Sequence, residues 1–178
     1  MLDLSLNFIK SIKRNLFPFY KNKELKFVFK TMQKGFSKET VVARFVGGCV
    51  RKHLTNEVID DIDIATILTT DEVRERFRNT NFKAIDTGIK HGTVTLVSKK
   101  FKLELTTLRK DLETDGRHAE VEYIDDWQLD SERRDFTINA IYLDIYGKIY
   151  DPQMGEDDLK NKNVKFIGDP QKRIEEDF

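Results

Sequence analysis

The sequence predicts one α/β domain, a sheet of short strands with helices packed on it, and three observations carry that prediction. Runs rich in β-branched residues alternate with period two at 41–46, 61–66, 93–97 and 101–108, the pattern of half-buried strands. Apolar residues at helical spacing lie between and around them, at 23–36 and from Thr70 to about Asn79. The 178 residues contain no repeat, low-complexity tract or flexible linker, so they supply one core rather than two.

Composition narrows the class further. Hydrophobic residues make up 39% and aromatics 11% of the chain, no apolar run approaches a membrane span, and no signal-peptide pattern opens it, so a cytoplasmic protein without membrane contact is expected. The single cysteine, Cys49, excludes an internal disulfide and cannot build a zinc site alone; beside glycines it reads as a small packed residue. Net charge is zero, yet residues 1–38 carry nine Lys/Arg against Asp3 and Glu24. A basic segment of +7 is thus joined to a body of −7, an arrangement that suits an enzyme handling a polyanion with metal ions, although taken by itself it fits solvated helix faces better.

The elements come in order along the chain. Residues 3–16 and 23–36 read as two amphipathic helices separated by Pro18, the second with Leu25, Val28, Phe29, Met32 and Phe36 on its core face. They form a basic unit, 1–38, packed on a body of 39–178. A strand at 41–46 runs into Gly47-Gly48, where a helix begins. Two glycines let backbone approach a ligand closely, free N–H groups at the helix start face an anion, and Arg51 lies one turn on to close over a phosphate. Thr70 is read as the cap of the next helix. Residues 82–86 and 93–97 make a hairpin whose turn holds Gly88, His91 and Gly92; His91 fits a turn-stabilising role better than substrate contact.

In the strand at 101–108, Glu104 and Thr106 share one face and Leu103 and Leu105 the other. Residues 110–120 are charged and read as a mobile loop, after which 121–123 close back on the sheet. On a helix Asp135 and Asn139 would be i, i+4 neighbours beside Arg133 and Arg134, a cluster suited to a ribose and phosphates or to a plain surface ion-pair helix. A hairpin at 141–150, a helix at 155–161, a strand at 164–167 and a helical turn from Pro170 complete the chain.

The stretch Asp60-Asp61-Ile62-Asp63-Ile64-Ala65-Thr66 carries the chemistry. Strand alternation puts Asp61 and Asp63 on one face and the isoleucines in the core. Two carboxylates facing the same way repel unless a cation sits between them, and hard oxygen ligands select Mg²⁺ or Mn²⁺ over zinc. Alone, such a pair is common on exposed strands, and its neighbours decide the matter.

Several motifs now stand in order: Phe45-Val46-Gly47-Gly48-Cys49-Val50-Arg51, Asp61-Ile62-Asp63-Ile64-Ala65-Thr66, Gly88 with His91-Gly92-Thr93-Val94, Glu104-Leu105-Thr106-Thr107-Leu108-Arg109, Arg133-Arg134-Asp135-Phe136-Thr137-Ile138-Asn139-Ala140, Asp151-Pro152 with Gly155 and Asp158-Leu159, and Ile167-Gly168-Asp169-Pro170. Over about residues 28–178 this set resembles the head of the bacterial-type tRNA nucleotidyltransferase and poly(A) polymerase family, the class II branch of the polymerase-β-like nucleotidyltransferases. The resemblance implies a mixed five-stranded sheet with helices packed on it, and Mg²⁺- or Mn²⁺-dependent transfer of a nucleoside monophosphate from ATP or CTP to the 3′ end of an RNA, a tRNA above all. It implies Asp61 and Asp63 as metal-bridging catalytic carboxylates and Glu104 as a weaker third. Gly47, Gly48, Arg51 and Arg109 would hold the triphosphate, with Arg134, Asp135 and Asn139 at the ribose.

Departures accompany the likeness. Lys52 stands where the family has aspartate, Thr55-Asn56 where Leu-Gly is usual, and Asp60 adds an acid before the pair. Asp177 opens the Glu-Asp-x-x-Arg motif that pairs with the incoming base, and the sequence stops before its arginine. A head without neck, body and tail is expected to hold tRNA weakly, to need a separate chain supplying those parts or a second copy of itself, or to persist as an inactive remnant that binds protein.

Overall fold

The strand runs and the helical spacings assemble around a single sheet. The computed structural model describes residues 18–88, 92–111, 121–171 and 173. The helices are α1 (Lys23–Gln33), α2 (Gly48–Leu54), α3 (Thr70–Phe77), α4 (Trp127–Glu132) and α5 (Gly155–Asn161), and a 3-10 turn spans Thr137–Asn139. The strands are β1 (Ala43–Val46), β2 (Ile62–Thr66), β3 (Lys83–Gly88), β4 (Thr93–Val97), β5 (Lys102–Thr107), β6 (Arg109–Asp111), β7 (Val121–Tyr123), β8 (Tyr142–Leu143) and β9 (Ile149–Tyr150).

The main sheet runs β3-β4-β5-β2-β1-β8-β9. It is mixed: β2 is parallel to β5 and antiparallel to β1. The expected five strands are its first five, and the β8-β9 hairpin, two residues a strand, extends it at the β1 edge.

Period-two alternation divides the sheet into two faces. Ala43, Phe45, Ile62, Ile64, Val94, Leu96, Leu103 and Leu105 join Leu25, Val28, Phe29 and Met32 of α1 and Val73 and Phe77 of α3 in one core. The opposite face carries Arg44, Val46, Asp63, Ala65, Glu104 and Thr106, and a small cluster of Val46, Ala65, Leu108 and Tyr142 covers part of it, with Trp127 of α4 packed against it. One face therefore supplies stability and the other is left for chemistry.

Several expectations shift. Helix α1 ends at Gln33, so Phe36 lies beyond it and is 36% exposed rather than core. The cap of α3 is Thr69, one residue earlier than predicted, because Glu72 then falls at the third helical position and completes a capping box, with its carboxylate accepting from the Thr69 N–H at 2.8 Å. Residues 110 and 111, expected to open the loop, are strand together with Arg109; the three pair with 121–123 in a separate two-stranded sheet rather than returning 121–123 to the main one. Residues 164–167 make only a single bridge, Phe136 to Phe166. The first predicted helix at 3–16, His91 and residues 112–120 lie outside the described residues.

Candidate active site

Strands β1 and β2 and helix α2 build the first wall. The strand-to-helix junction is Gly47, whose φ of 72° is a left-handed conformation that only glycine adopts without strain. A Cβ there would stand 3.6 Å from Asp63 Oδ2, so the turn and the acid are close neighbours. Cys49 follows, buried, donating its S–H to Val46 O at 3.2 Å, and burial pushes its thiol up to about 11. It is the inert packed residue the sequence predicts.

Asp61 precedes β2 and is exposed; Asp63, two residues on, is within the strand and half-buried. Asp63 and Glu104 are register partners on the parallel strands β2 and β5, side by side on the open face. Burial, then the negative charge of Glu104, raises the Asp63 carboxyl above the usual range, with Arg134 opposing and Asp61 adding to the rise. Glu104 also contacts Lys102 Nζ at 3.3 Å. Among the described residues no three His, Cys, Asp or Glu groups converge on one ion position.

A cleft of about 250 Å³ opens beside Asp63, lined by Val46, Thr93, Thr106, Arg109, Arg133 and Arg134. The three arginines are held by one residue that sequence reasoning passed over. Asp130 is fully buried and accepts from Arg133 Nε at 2.9 Å, Arg134 Nη2 at 3.1 Å, the Tyr142 hydroxyl at 2.7 Å and the Arg109 backbone N–H at 3.3 Å. Burial works to raise its carboxyl, but Arg134, Arg133 and the Tyr142 hydrogen bond together hold it below the usual range. Burial works likewise against the Arg134 charge, yet Tyr142 and Asp130 raise its pKa instead. Burial pushes the Tyr142 hydroxyl upward, keeping it protonated to donate. A signal for Asp130 does exist in the chain, since it stands at i−3 and i−4 from the two arginines.

The ribose cluster forms, though not on a helix. Helix α4 stops at Glu132, and Phe136 is extended, with φ of −117° and ψ of 146°, before the 3-10 turn Thr137–Asn139. The two side chains meet all the same: Asn139 Nδ2 donates to both Asp135 oxygens, at 3.1 and 3.2 Å, while Arg51 donates to Asn139 Oδ1. Arg51 of α2, Asn139 and Asp135 are thereby joined in one chain. The turn is clamped from behind by the Thr137 hydroxyl on Asp158 Oδ2 at 2.8 Å and by Gly155, where an added Cβ would collide with Thr137 O.

The departures from the resembled pattern find physical reasons. Lys52 pairs with Asp60, so the lysine and the extra acid answer each other, and Asp60 Oδ1 accepts from the Asp61 N–H at 3.0 Å. Asn56 takes φ of 58°, the left-handed helix-end conformation in which asparagine replaces glycine best. Asp177 lies outside the described residues.

Comparison with known proteins agrees with this geometry. The family described as Poly A polymerase head domain matches residues 43–165. The chain is 45% identical over 150 residues to the human CCA tRNA nucleotidyltransferase 1, mitochondrial, covering 84% of this chain and 35% of that protein. It is 43% identical over 137 residues to the CCA-adding enzyme of Listeria monocytogenes, covering 76% and 34%. Among solved structures, the Bacillus stearothermophilus CCA-adding enzyme in complex with CTP superposes with a TM-score of 0.73 at 36% identity, over 88% of this chain and 36% of that one. A tRNA nucleotidyltransferase complexed with a primer tRNA and an incoming ATP analog gives 0.57 at 29% identity, over 71% and 36%. The chain spans about a third of the length of the curated relatives it matches. With the matched family covering most of the sequence and the fold shared with its solved members, this chain belongs to the poly A polymerase head domain family.

Proposed function

We propose that this chain is a nucleotidyltransferase head that transfers CMP or AMP from CTP or ATP to an RNA 3′ end, with a tRNA as the acceptor. The observation that supports it most is the pairing of Asp63 with Glu104 under mutual repulsion, beside a cleft walled by three arginines. Acids that repel call for a cation, and arginines call for phosphates.

Asp61 and Asp63 are the residues to hold Mg²⁺ or Mn²⁺. Their donor chemistry fits, because Mg²⁺ is ordinarily bound by one or two carboxylates plus substrate phosphates rather than by an all-protein cage, so a pair of acids suffices. A divalent cation held there would supply charge that lowers the pKa of an attacking hydroxyl and stabilises a leaving pyrophosphate. The chain's own residues do the rest. Arg109, Arg133 and Arg134, which line the cleft, would neutralise the triphosphate and the Gly47-Gly48 backbone would approach it; Arg51, expected at the triphosphate, donates to Asn139 and would join it and Asp135 at the ribose, so the expected places of Arg51 and Arg134 are exchanged in this reading. The RNA 3′ oxygen bonds to the α-phosphorus, the α–β phosphoanhydride bond breaks with pyrophosphate taking its electron pair, and the hydroxyl proton passes to solvent water. Glu104 stays the weaker candidate for a third ligand, since Lys102 engages it.

The division into a basic unit, 1–38, and a head, 39–178, is part of this reading. No helix among the described residues is long and apolar enough to cross a membrane. A cytoplasmic location is proposed, with an organelle interior as the alternative raised by vertebrate relatives that are mitochondrial by name. The test is incorporation of labelled CMP and AMP into tRNA lacking its 3′ CCA, by the chain alone and with a body-domain chain added. Incorporation that requires Asp63 supports the reading; none under either condition contradicts it.

A further inference from the structure

The groove of about 1540 Å³ on the helix-covered side of the sheet lies away from Asp63. It runs along α1 and the segment after it, and Lys21, Lys26, Lys30, Lys34, Lys38 and Arg76 line it. Only two acids share that lining, Glu75 and Asp144, and both are engaged elsewhere: Glu75 with Arg78 at 2.6 Å, Asp144 accepting from the backbone N–H groups of Tyr146 and Lys148. Glu24, the one acid of α1, is taken by Lys100 and Ser98. Among the described residues no carboxylate pairs with any of the five lysines.

Lys26 and Lys30 stand at i and i+4 on the outer face of α1, opposite buried Leu25, Val28 and Met32, and Lys34 follows at the helix end. Like charges at that spacing, about 6 Å apart along the axis, destabilise a helix. Nothing in the core needs them there. Exposed aromatics accompany the charge, with Phe27 41% and Tyr146 87% exposed beside the lysines. Cations interleaved with aromatic faces in a concave surface suit a nucleic-acid strand better than a flat lipid headgroup layer. Residues 1–17 are themselves net basic and add no net negative charge to answer the groove.

We infer that this groove is a second RNA-binding surface, which holds the backbone of the acceptor RNA remote from its 3′ end. The inference rests on the proposed RNA substrate, and it lies on the sheet face opposite the acids. Phosphate contacts there release counterions, so affinity falls steeply with salt.

Fluorescence anisotropy of the 178-residue chain with labelled tRNA lacking its CCA end, across a salt series, tests it. The variant K26Q/K30Q/K34Q should bind about ten- to a hundredfold more weakly at low salt and flatten the log–log salt slope by about two to three. The arginine version, K26R/K30R/K34R, should restore both. Binding of Mg²⁺ with CTP, measured separately by calorimetry, should be the same in all three proteins, which separates failure of the groove from failure of the metal site. Unchanged RNA affinity and slope in the glutamine variant, absence of RNA binding by the unmodified chain, or displacement of RNA by polyglutamate as readily as by unlabelled RNA would each overturn the inference.

Discussion

Asp63 lies directly beside Glu104 on adjacent parallel strands, and burial together with that neighbouring charge lifts its carboxyl above the usual range. An acid in that state is a liability to the metal-free fold. A raised folded pKa means that stability is greatest below the unfolded carboxyl's value, near ~3.9, and is lost as pH rises through the folded value. Asp63→Asn should therefore raise the thermal midpoint of the metal-free protein at pH 7 while abolishing Mg²⁺-dependent nucleotide binding. A fall in the midpoint, read by calorimetric melting, counts against the repulsion.

The sign reverses at Asp130. Its folded pKa is depressed, so its contribution is full above the unfolded value and disappears as pH falls through the folded one. Asp130→Asn leaves Arg133 and Arg134 without their counterion and should cost about 3 kcal/mol at pH 7, with the two proteins converging in urea unfolding at strongly acid pH. In whatever fraction stays folded, nucleotide affinity should fall as well, because the cleft arginines lose their anchor.

Glycines separate geometry from ligand approach. Gly155→Ala drives a Cβ into Thr137 O and should unfold the 3-10 turn or the protein, whereas nothing lies within 4 Å of a Cβ at Gly48. Gly48→Ala sits in a helix and should stabilise by about 0.5–1 kcal/mol. If nucleotide binding nevertheless weakens in Gly48→Ala, measured by titration calorimetry, the backbone there approaches the triphosphate; unchanged binding removes Gly48 from the site. Gly47→Ala, at positive φ, should cost about 1–2 kcal/mol on its own.

Lys52 and Asp60 offer a fourth check. Their pairing is open to solvent, so Lys52→Ala should leave the melting temperature nearly unchanged. Restoring aspartate at 52 beside Asp60 and Asp61 should weaken the protein at low salt and recover at high salt, read from melting at two ionic strengths.

What the chain disclosed before folding depends on the range of its interactions. Strand alternation put Ile62 and Ile64 in the core and Asp63 and Glu104 on one face, because that is local backbone geometry. The Gly47 turn was equally legible. Asp130 was legible only in part: its spacing to Arg133 and Arg134 is local, but Tyr142 and the Arg109 N–H reach it from distant strands. The helix imagined across Asp135 and Asn139 failed for the same reason: the Thr137 N–H donates to Lys165 O and the Ile167 N–H to Asp135 O. Those long-range bonds hold the segment out of a helix, yet the two side chains meet anyway.

The most direct measurement is titration calorimetry of the chain with CTP and with ATP, with and without Mg²⁺, repeated on Asp61→Ala and Asp63→Ala. Metal-dependent binding by the unmodified chain that both variants lose is the predicted result. Binding that ignores the metal, or survives loss of both carboxylates, contradicts the assignment of this face as a nucleotidyltransferase site.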